Sequence, residues 1–258
     1  MDYKAILTAL LIGHFLGDFY LQGDDMARKK DKDMKDMCQH GLLYLLAIAA
    51  AALYLLCFKM PPKAWLLIAL VPIFHFFVDL AKHRWPGWER LFKEKAVFMA
   101  DQAVHISIAM IVAYFCATCS SVAYSKFGIC LQGIYAKLDL GPPAHKLVRL
   151  IYLFLFMGKP ANIFVQNIIK SGRDSSIEIF AEEEQKAGRR IGTAERCLAV
   201  ILVILGQYSA LAFVMAAKTI ARFNKISEDQ EFAEKYLLGT LSSMLLAVSG
   251  AVLYLYIP

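Results

Sequence analysis

Charge is what this sequence has least of. Only 19% of its 258 residues are charged and 59% are hydrophobic. An average soluble domain carries roughly 25% charge and roughly 45–50% apolar residues. The shortfall excludes a disordered chain and argues against an ordinary soluble globule. Cysteine is also sparse: Cys38, Cys57, Cys116, Cys119, Cys130 and Cys197 are scattered, and only Cys116 and Cys119 make a C-x-x-C. A structural zinc site takes four ligands from close pairs, and no second pair exists. No basic block is interleaved with aromatics, so the net charge of +6 does not predict a nucleic-acid partner. No nucleophilic serine or cysteine motif supports covalent catalysis. The first apolar run lacks a small-residue cleavage site and carries His14 and Asp18, so it is expected to be a span rather than a removable signal.

What is there is long apolar sequence, with a mean hydropathy of +0.50. A spanning helix needs roughly 20 mostly apolar residues. Runs of that kind lie near 4–22, 39–58, 64–82, 96–118, 147–169, 192–217 and 233–257. The expected fold is therefore all-α, a polytopic transmembrane helix bundle of about seven spans. Gly158, Lys159 and Pro160 interrupt the fifth run, and a proline there removes a backbone donor, so this span is expected to be kinked or broken. Residues 1–119 read as a four-span N-terminal bundle and 120–258 as a three-span C-terminal region of the same membrane domain. A short interfacial piece is expected around Phe127–Tyr135.

Cations crowd the loops after the first, third and fifth runs: Arg28, Lys29, Lys30, Lys32 and Lys35; then Lys82, Arg84, Arg90, Lys93 and Lys95; then Lys170, Arg173, Lys186, Arg189 and Arg190. This bias predicts an N-terminus outside and a C-terminus in the cytoplasm.

The few ionisable residues inside the runs carry most of the information, because burying charge in lipid is expensive. Three strings stand out: His14-Phe-Leu-Gly-Asp18, His75-Phe-Phe-Val-Asp79 and Asp101-Gln-Ala-Val-His105. Residues four apart share a helix face, so each string aims an imidazole and a carboxylate at one point. With alternating spans, all three pairs fall at one depth, in the cytoplasmic leaflet. His40 opens a further span at that level, and so does Glu195.

Three readings fit these pairs. They can ligate a divalent metal, with zinc favoured by the imidazole and carboxylate donors and manganese or iron also suited. His14, His40, His75 and His105 would then be ligands. Asp18, Asp79 and Asp101 would ligate, bridge two ions, orient the histidines or act as general base, with Glu195 a further ligand or base. They can instead form a proton or ion relay in a transporter. They can also be polar glue between helices of a non-enzymatic scaffold. On the metal reading the protein is a metal-dependent membrane hydrolase, and Arg189, Arg190 and Arg196 are expected to grip an anionic or lipid-like substrate. Membrane lipid is the expected partner, and a homo-oligomer is compatible with the sequence. The blander reading of the arginines is a helix start facing headgroups, with Lys218 and Arg222 anchoring the far end of the sixth span.

The strings His14-Phe-Leu-Gly-Asp18-Phe-Tyr-Leu-Gln22, His75-Phe-Phe-Val-Asp79-Leu-Ala-Lys82 and Asp101-Gln102-Ala-Val-His105 resemble an uncharacterised bacterial integral-membrane family, domain of unknown function 3307. Gly188-Arg189-Arg190-Ile191-Gly192-Thr-Ala-Glu195-Arg196 and Ala233-Glu234-Lys235-Tyr236-Leu-Leu-Gly239-Thr240 resemble its longer members. The resemblance implies a bacterial cytoplasmic membrane and no particular activity. The His-x3-Asp spacing alone is loosely similar to bacterial membrane-bound metal-dependent hydrolases.

Overall fold

The structure, a computed structural model, describes residues 3–23, 26, 33–84, 94–120, 123–137, 144–169 and 181–256. Most of the cations that set the expected orientation, including Arg28, Lys29, Lys30, Lys32, Arg90, Lys93, Lys170 and Arg173, lie outside the described residues. Among the described residues there is no strand, only a single antiparallel bridge between Phe58 and Tyr124. Six helices are long and apolar enough to cross a membrane: Tyr3–Leu21, Met34–Cys57, Pro62–Arg84, Phe98–Cys119, His145–Ile169 and Gln230–Tyr256. The chain is thus an all-α integral membrane protein. Its packing forms two compact units, Met1–Tyr152 and Leu153–Pro258.

In the N-terminal unit, α1 (Tyr3–Phe15) runs on into a wider, π-helical turn at Leu16–Leu21 that contains Asp18. Such turns widen a helix where a functional side chain must be re-aimed. Helix α2 (Met34–Ala52) starts at Asp33, whose carboxylate accepts the Lys35 backbone N–H at 2.9 Å. It tightens into a 3-10 turn at Leu53–Cys57. Helix α3 (Pro62–Arg84) starts on a proline, a residue suited to the first helical position, and α4 (Glu94–Cys119) completes the bundle. The expected interfacial piece is a real helix, α5 (Lys126–Lys137), with Phe127, Ile129 and Ile134 exposed. It is tied to the end of α2 by Ser125, which donates from its backbone to the Cys57 carbonyl and from its hydroxyl to the Leu56 carbonyl.

Helix α1 is the central strut of this unit and lies against both α2 and α4. Ile6, Leu10, Ile48, Val71, Val112 and Cys116 form its core. Close approach is possible because α1 presents glycine. A Cβ at Gly13 would meet Ile48 Cδ1 at 2.7 Å and the Ile48 Cα at 3.0 Å. One at Gly17 would meet the Tyr44 Cα at 3.2 Å. Small residues at such crossings let spans pack where no hydrophobic force drives them together.

The C-terminal unit begins within α6 (Ala144–Met157), which stops at Gly158 and resumes as α7 (Lys159–Ile169). The expected break in the fifth span is therefore present, at the expected residues. Helix α8 (Ala181–Ile204) is followed by α9 (Tyr208–Ala221), the short α10 (Phe223–Glu228) and α11 (Gln230–Tyr256). Its core joins Leu153 and Met157 to Val200 and Val203 of α8 and to Ala247 and Ala251 of α11.

The apolar run at 192–217 differs from the sequence expectation. It is not one span but a helical hairpin, broken at Gly206, which adopts φ 69°. That left-handed conformation is open to glycine at little cost. Helix α9 folds back along α8, so Lys218 returns to Glu195 rather than marking a far end, with Nζ 2.5 Å from Oε2. The reading of Lys218 as a far-side anchor is thereby corrected. Elsewhere the outer faces are apolar, as lipid contact requires: Leu66, Leu241, Leu245 and Phe213 are all more than 60% exposed.

Gly13→Val should overpack the α1–α2 crossing and destabilise the protein by roughly 1–3 kcal/mol. Gly133→Ala, where an added Cβ meets nothing, should instead be neutral or stabilising by up to about 1 kcal/mol. Thermal unfolding of both variants in one detergent checks the contrast.

Candidate functional site

The three sequence pairs and His40 converge in the N-terminal unit. Four elements deliver them. His14 and Asp18 come from α1 and its π-helical turn, His40 from α2, His75 and Asp79 from α3, and Asp101 and His105 from α4. His14, His40, His75, Asp79 and His105 are each at most 4% exposed, Asp101 is 7% exposed, and the Asp18 side chain is 6% exposed. Four of the six histidines in the chain thus sit in one desolvated cluster.

Asp18 is the hub. His75 donates through Nε2 to Asp18 Oδ1 at 2.8 Å, and His40 Nε2 stands 3.5 Å from the same oxygen. Its second oxygen, Oδ2, lies 3.6 Å from His14 Nδ1 and 3.5 Å from the Gln102 amide nitrogen. His75 therefore bonds the aspartate of another helix, and its own i+4 partner Asp79 is the more distant, 3.8 Å from Nδ1. Asp79 Oδ2 also faces His40 Nε2 at 3.4 Å. The rings also pack: His75 and His105 are tilted by 31° with centroids 4.2 Å apart, and Tyr44 stacks on His75 at 3.6 Å.

Three residues of the site were missed by the sequence reading. Lys82, counted there as a loop cation, places Nζ 3.0 Å from Asp101 Oδ1 and 3.6 Å from Asp79 Oδ1. Gln102 accepts from His14 Nε2 at 3.1 Å and offers its amide N–H groups to Asp18 and to Asp101. The Tyr44 hydroxyl donates to His14 Nδ1 at 3.3 Å. Spacing held the signal: Lys82 is one helical turn beyond Asp79, and Tyr44 one turn beyond His40.

The cluster contains three overlapping groups with the donor types of a metal site. They are His14–Asp18–His75, His40–His75–Asp79 and Asp79–Asp101–His105, and within each the ligand atoms lie within 4.8 Å of one another. Two features fit an ion. The donor sets are imidazole nitrogen and carboxylate oxygen, which suit first-row divalent metals. Both ring nitrogens of His105 and Nδ1 of His75 are buried with no hydrogen-bond partner among the described residues. Buried polar atoms normally have one, so each such nitrogen calls for an explanation. These groups have the composition and spacing to hold a metal ion.

The other predicted residues fall in the C-terminal unit. Glu195 accepts from Lys218, and its side chain is 16% exposed. Arg189 lines a cavity of about 310 Å³ within that unit, as do Glu195 and Arg196, whereas Arg190 is exposed and lies outside it. Arg196 is 2% exposed and acts as a cross-link. Its Nε donates to the Met157 carbonyl at the helix break, Nη1 to Ser243 Oγ at 3.1 Å, and Nη2 to Asn162 Oδ1 at 2.5 Å. A break leaves carbonyls without intrahelical donors, and a buried guanidinium with several N–H groups meets that need.

Lys82 should be indispensable to the metal-free fold. Lys82→Met leaves Asp79 and Asp101 buried without their shared cation, and breaking a buried charge pair costs about 3–5 kcal/mol. Adding Asp101→Asn should restore part of that loss. A double-mutant cycle on chelator-treated protein, read by thermal unfolding, checks whether the two positions couple.

No curated protein and no solved structure matches the chain, and nothing in the comparisons carries the likeness to membrane-bound hydrolases. Residues 6–129 match the model of the family described as "Protein of unknown function (DUF3307)". The matched stretch contains every member of the His/Asp cluster. Over this stretch, just under half of its length, the chain is similar to that family.

Proposed function

We propose that the N-terminal unit holds one divalent metal ion inside the membrane and uses it for hydrolysis of an amphiphilic substrate. The observation that carries this reading is the set of three overlapping ligand groups that include buried ring nitrogens of His75 and His105 without hydrogen-bond partners. His75 and Asp79 each belong to two of the groups and are the central ligands of this reading, with His40 joined to both in one group and His105 to Asp79 in another. His14 and Asp18 are held by Tyr44, Gln102 and His75 and complete the site from α1. Zinc suits the donors best.

Charge balance supports a single ion. With neutral histidines, three carboxylates and the Lys82 ammonium leave two negative charges, which one divalent cation cancels. A metal in such a site lowers the pKa of water toward neutrality and so supplies a hydrolytic nucleophile. The chain's own contribution is a carboxylate positioned to take the proton. Asp101 suits that role, since Lys82 and Gln102 fix both of its oxygens. The apolar helices around the cluster exclude bulk water from it.

A second reading is a proton or ion relay. It is favoured by the continuous path from His75 through Asp18, Gln102 and Asp101 to Lys82.

Purified wild-type protein should carry about one equivalent of metal by elemental analysis. His75→Ala, His105→Ala and Asp79→Ala should reduce it at least tenfold, and Lys82→Met should retain it. Equal trace metal in wild type and all three variants would sink the metal reading. Metal-dependent turnover of phosphate- or carboxyl-ester amphiphiles, lost in Asp101→Asn, is the expected enzymatic result. Metal-independent proton flux in proteoliposomes without turnover would favour the relay.

A further inference from the structure

The C-terminal unit contains a cavity that the His/Asp cluster does not explain. It has a volume of about 310 Å³ and lies among α7, α8, α9 and α11. Its lining includes five cations, Arg189, Arg196, Lys218, Arg222 and Lys235, and one acid, Glu195. The acid is already committed, because it takes Lys218 at 2.5 Å. Lys235 bridges to Glu231, outside the cavity, and Arg196 spends hydrogen bonds on Met157, Asn162, Thr193 and Ser243. Arg189 and Arg222 remain, and among the described residues neither guanidinium has a carboxylate within ion-pair distance.

The polar lining is built to donate. The Tyr236 hydroxyl is buried, lines the cavity and has no hydrogen-bond partner among the described residues. Lys218 Nζ sits 5.4 Å from the centre of the Tyr236 ring. Thr240 is 9% exposed and adds a hydroxyl from the next turn of α11. Gly188 contributes open space, since a Cβ there would meet nothing within 4 Å. The fold-back of α9 creates this arrangement, because a hairpin returns Lys218 and Arg222 to the middle of α8.

We propose that this cavity binds a phosphoryl anion, held by Arg189 and Arg222 with Tyr236 and Thr240 as neutral donors. A tetrahedral phosphate has three or four acceptor oxygens and needs donors from several directions. Here they come from α8, from Arg222 at the junction between α9 and α10, and from α11. A planar carboxylate has two acceptor oxygens and would leave part of this donor set, Arg189, Arg222, Tyr236 and Thr240, unmatched. Guanidinium is also the side chain best shaped for phosphate oxygens. The cavity is lined by the last turns of the candidate span His145–Ile169 and the first turns of the candidate span Gln230–Tyr256, and span ends are where a chain meets headgroups. The phosphoryl group can thus belong to a phospholipid or to a soluble phosphate. This site is independent of the metal reading, and either can fail alone.

The test uses the full chain, delipidated in detergent. Two probes are titrated: inorganic phosphate, followed by equilibrium dialysis, and phosphatidic acid in phosphatidylcholine nanodiscs, followed by retention in native mass spectrometry. Wild type should bind at least one of them, and Arg189→Ala and Arg222→Ala should each weaken binding at least tenfold. Arg190→Ala, which removes an exposed arginine outside the cavity, should leave it unchanged. Tyr236→Phe should weaken binding severalfold with no change in helix content, which separates donor loss from misfolding. Binding of phosphate that competes with phosphatidic acid assigns a soluble source as sufficient. Retention of phosphatidic acid without phosphate binding assigns the headgroup. The proposal is overturned if wild type binds neither probe, or if Arg190→Ala weakens binding as much as Arg222→Ala.

Discussion

The N-terminal unit depends on the compensation of three carboxylates buried among apolar helices. An uncompensated carboxylate in a medium of low dielectric is costly enough that the fold must supply donors or cations to each. Asp18 shows how this constrains the bundle. Its oxygens face His75 of α3, His40 of α2 and Gln102 of α4, so all three other helices are committed to one residue of α1. Separating any of these helices strands a buried polar group. The glycines at 13 and 17 serve the same end, because they allow α1 to approach α2 closely enough for His40 to face Asp18. Apolar packing alone would not fix this register, since lipid solvates an apolar helix as well as another helix does.

Much of this site was legible in the sequence because its information is local. Histidine and aspartate four residues apart share a helix face whatever the tertiary fold, and three such pairs in apolar runs point to one depth. What was not legible is the pairing across helices. The i,i+4 spacing suggests His75 with Asp79, yet the short bond runs to Asp18 at 2.8 Å against 3.8 Å within the helix. Lys82 was assigned to a loop because it follows the last apolar residues of its run, but its long side chain reaches back to the buried carboxylates. Long cationic side chains place charge several ångströms from their backbone, and sequence position does not record the direction.

The C-terminal unit shows the opposite balance. The break at Gly158–Pro160 was legible, since proline removes a backbone donor wherever it falls. The hairpin at Gly206 was not. One interior glycine, Gly206, in an apolar run of 26 residues, 192–217, is compatible with a continuous helix, and only tertiary packing selects the turn. That one difference moved Lys218 and Arg222 from a remote anchor to the wall of a cavity. Arg196 moved the other way: a residue that reads as a ligand for substrate is largely occupied in holding α6, α7, α8 and α11 together. Arg189, about two turns earlier on α8, makes no such cross-link among the described residues.

Lys82 connects structure to chemistry, because its charge competes with that of any bound ion. An ammonium 3.0 Å from Asp101 and 3.6 Å from Asp79 already occupies part of the field that a cation would use. Two divalent ions would bring four positive charges to three carboxylates and a lysine, leaving the interior two charges positive with neutral histidines. One ion leaves it neutral. In a low-dielectric interior this excess charge opposes a second ion unless Lys82 is displaced or a substrate anion enters with it. A bridged two-metal centre of the kind the ligand count permits would therefore need substrate to complete it, whereas a single-ion centre can be stable before substrate arrives. The charge of one side chain thus separates two chemistries that the seven ligand-type residues alone leave equivalent.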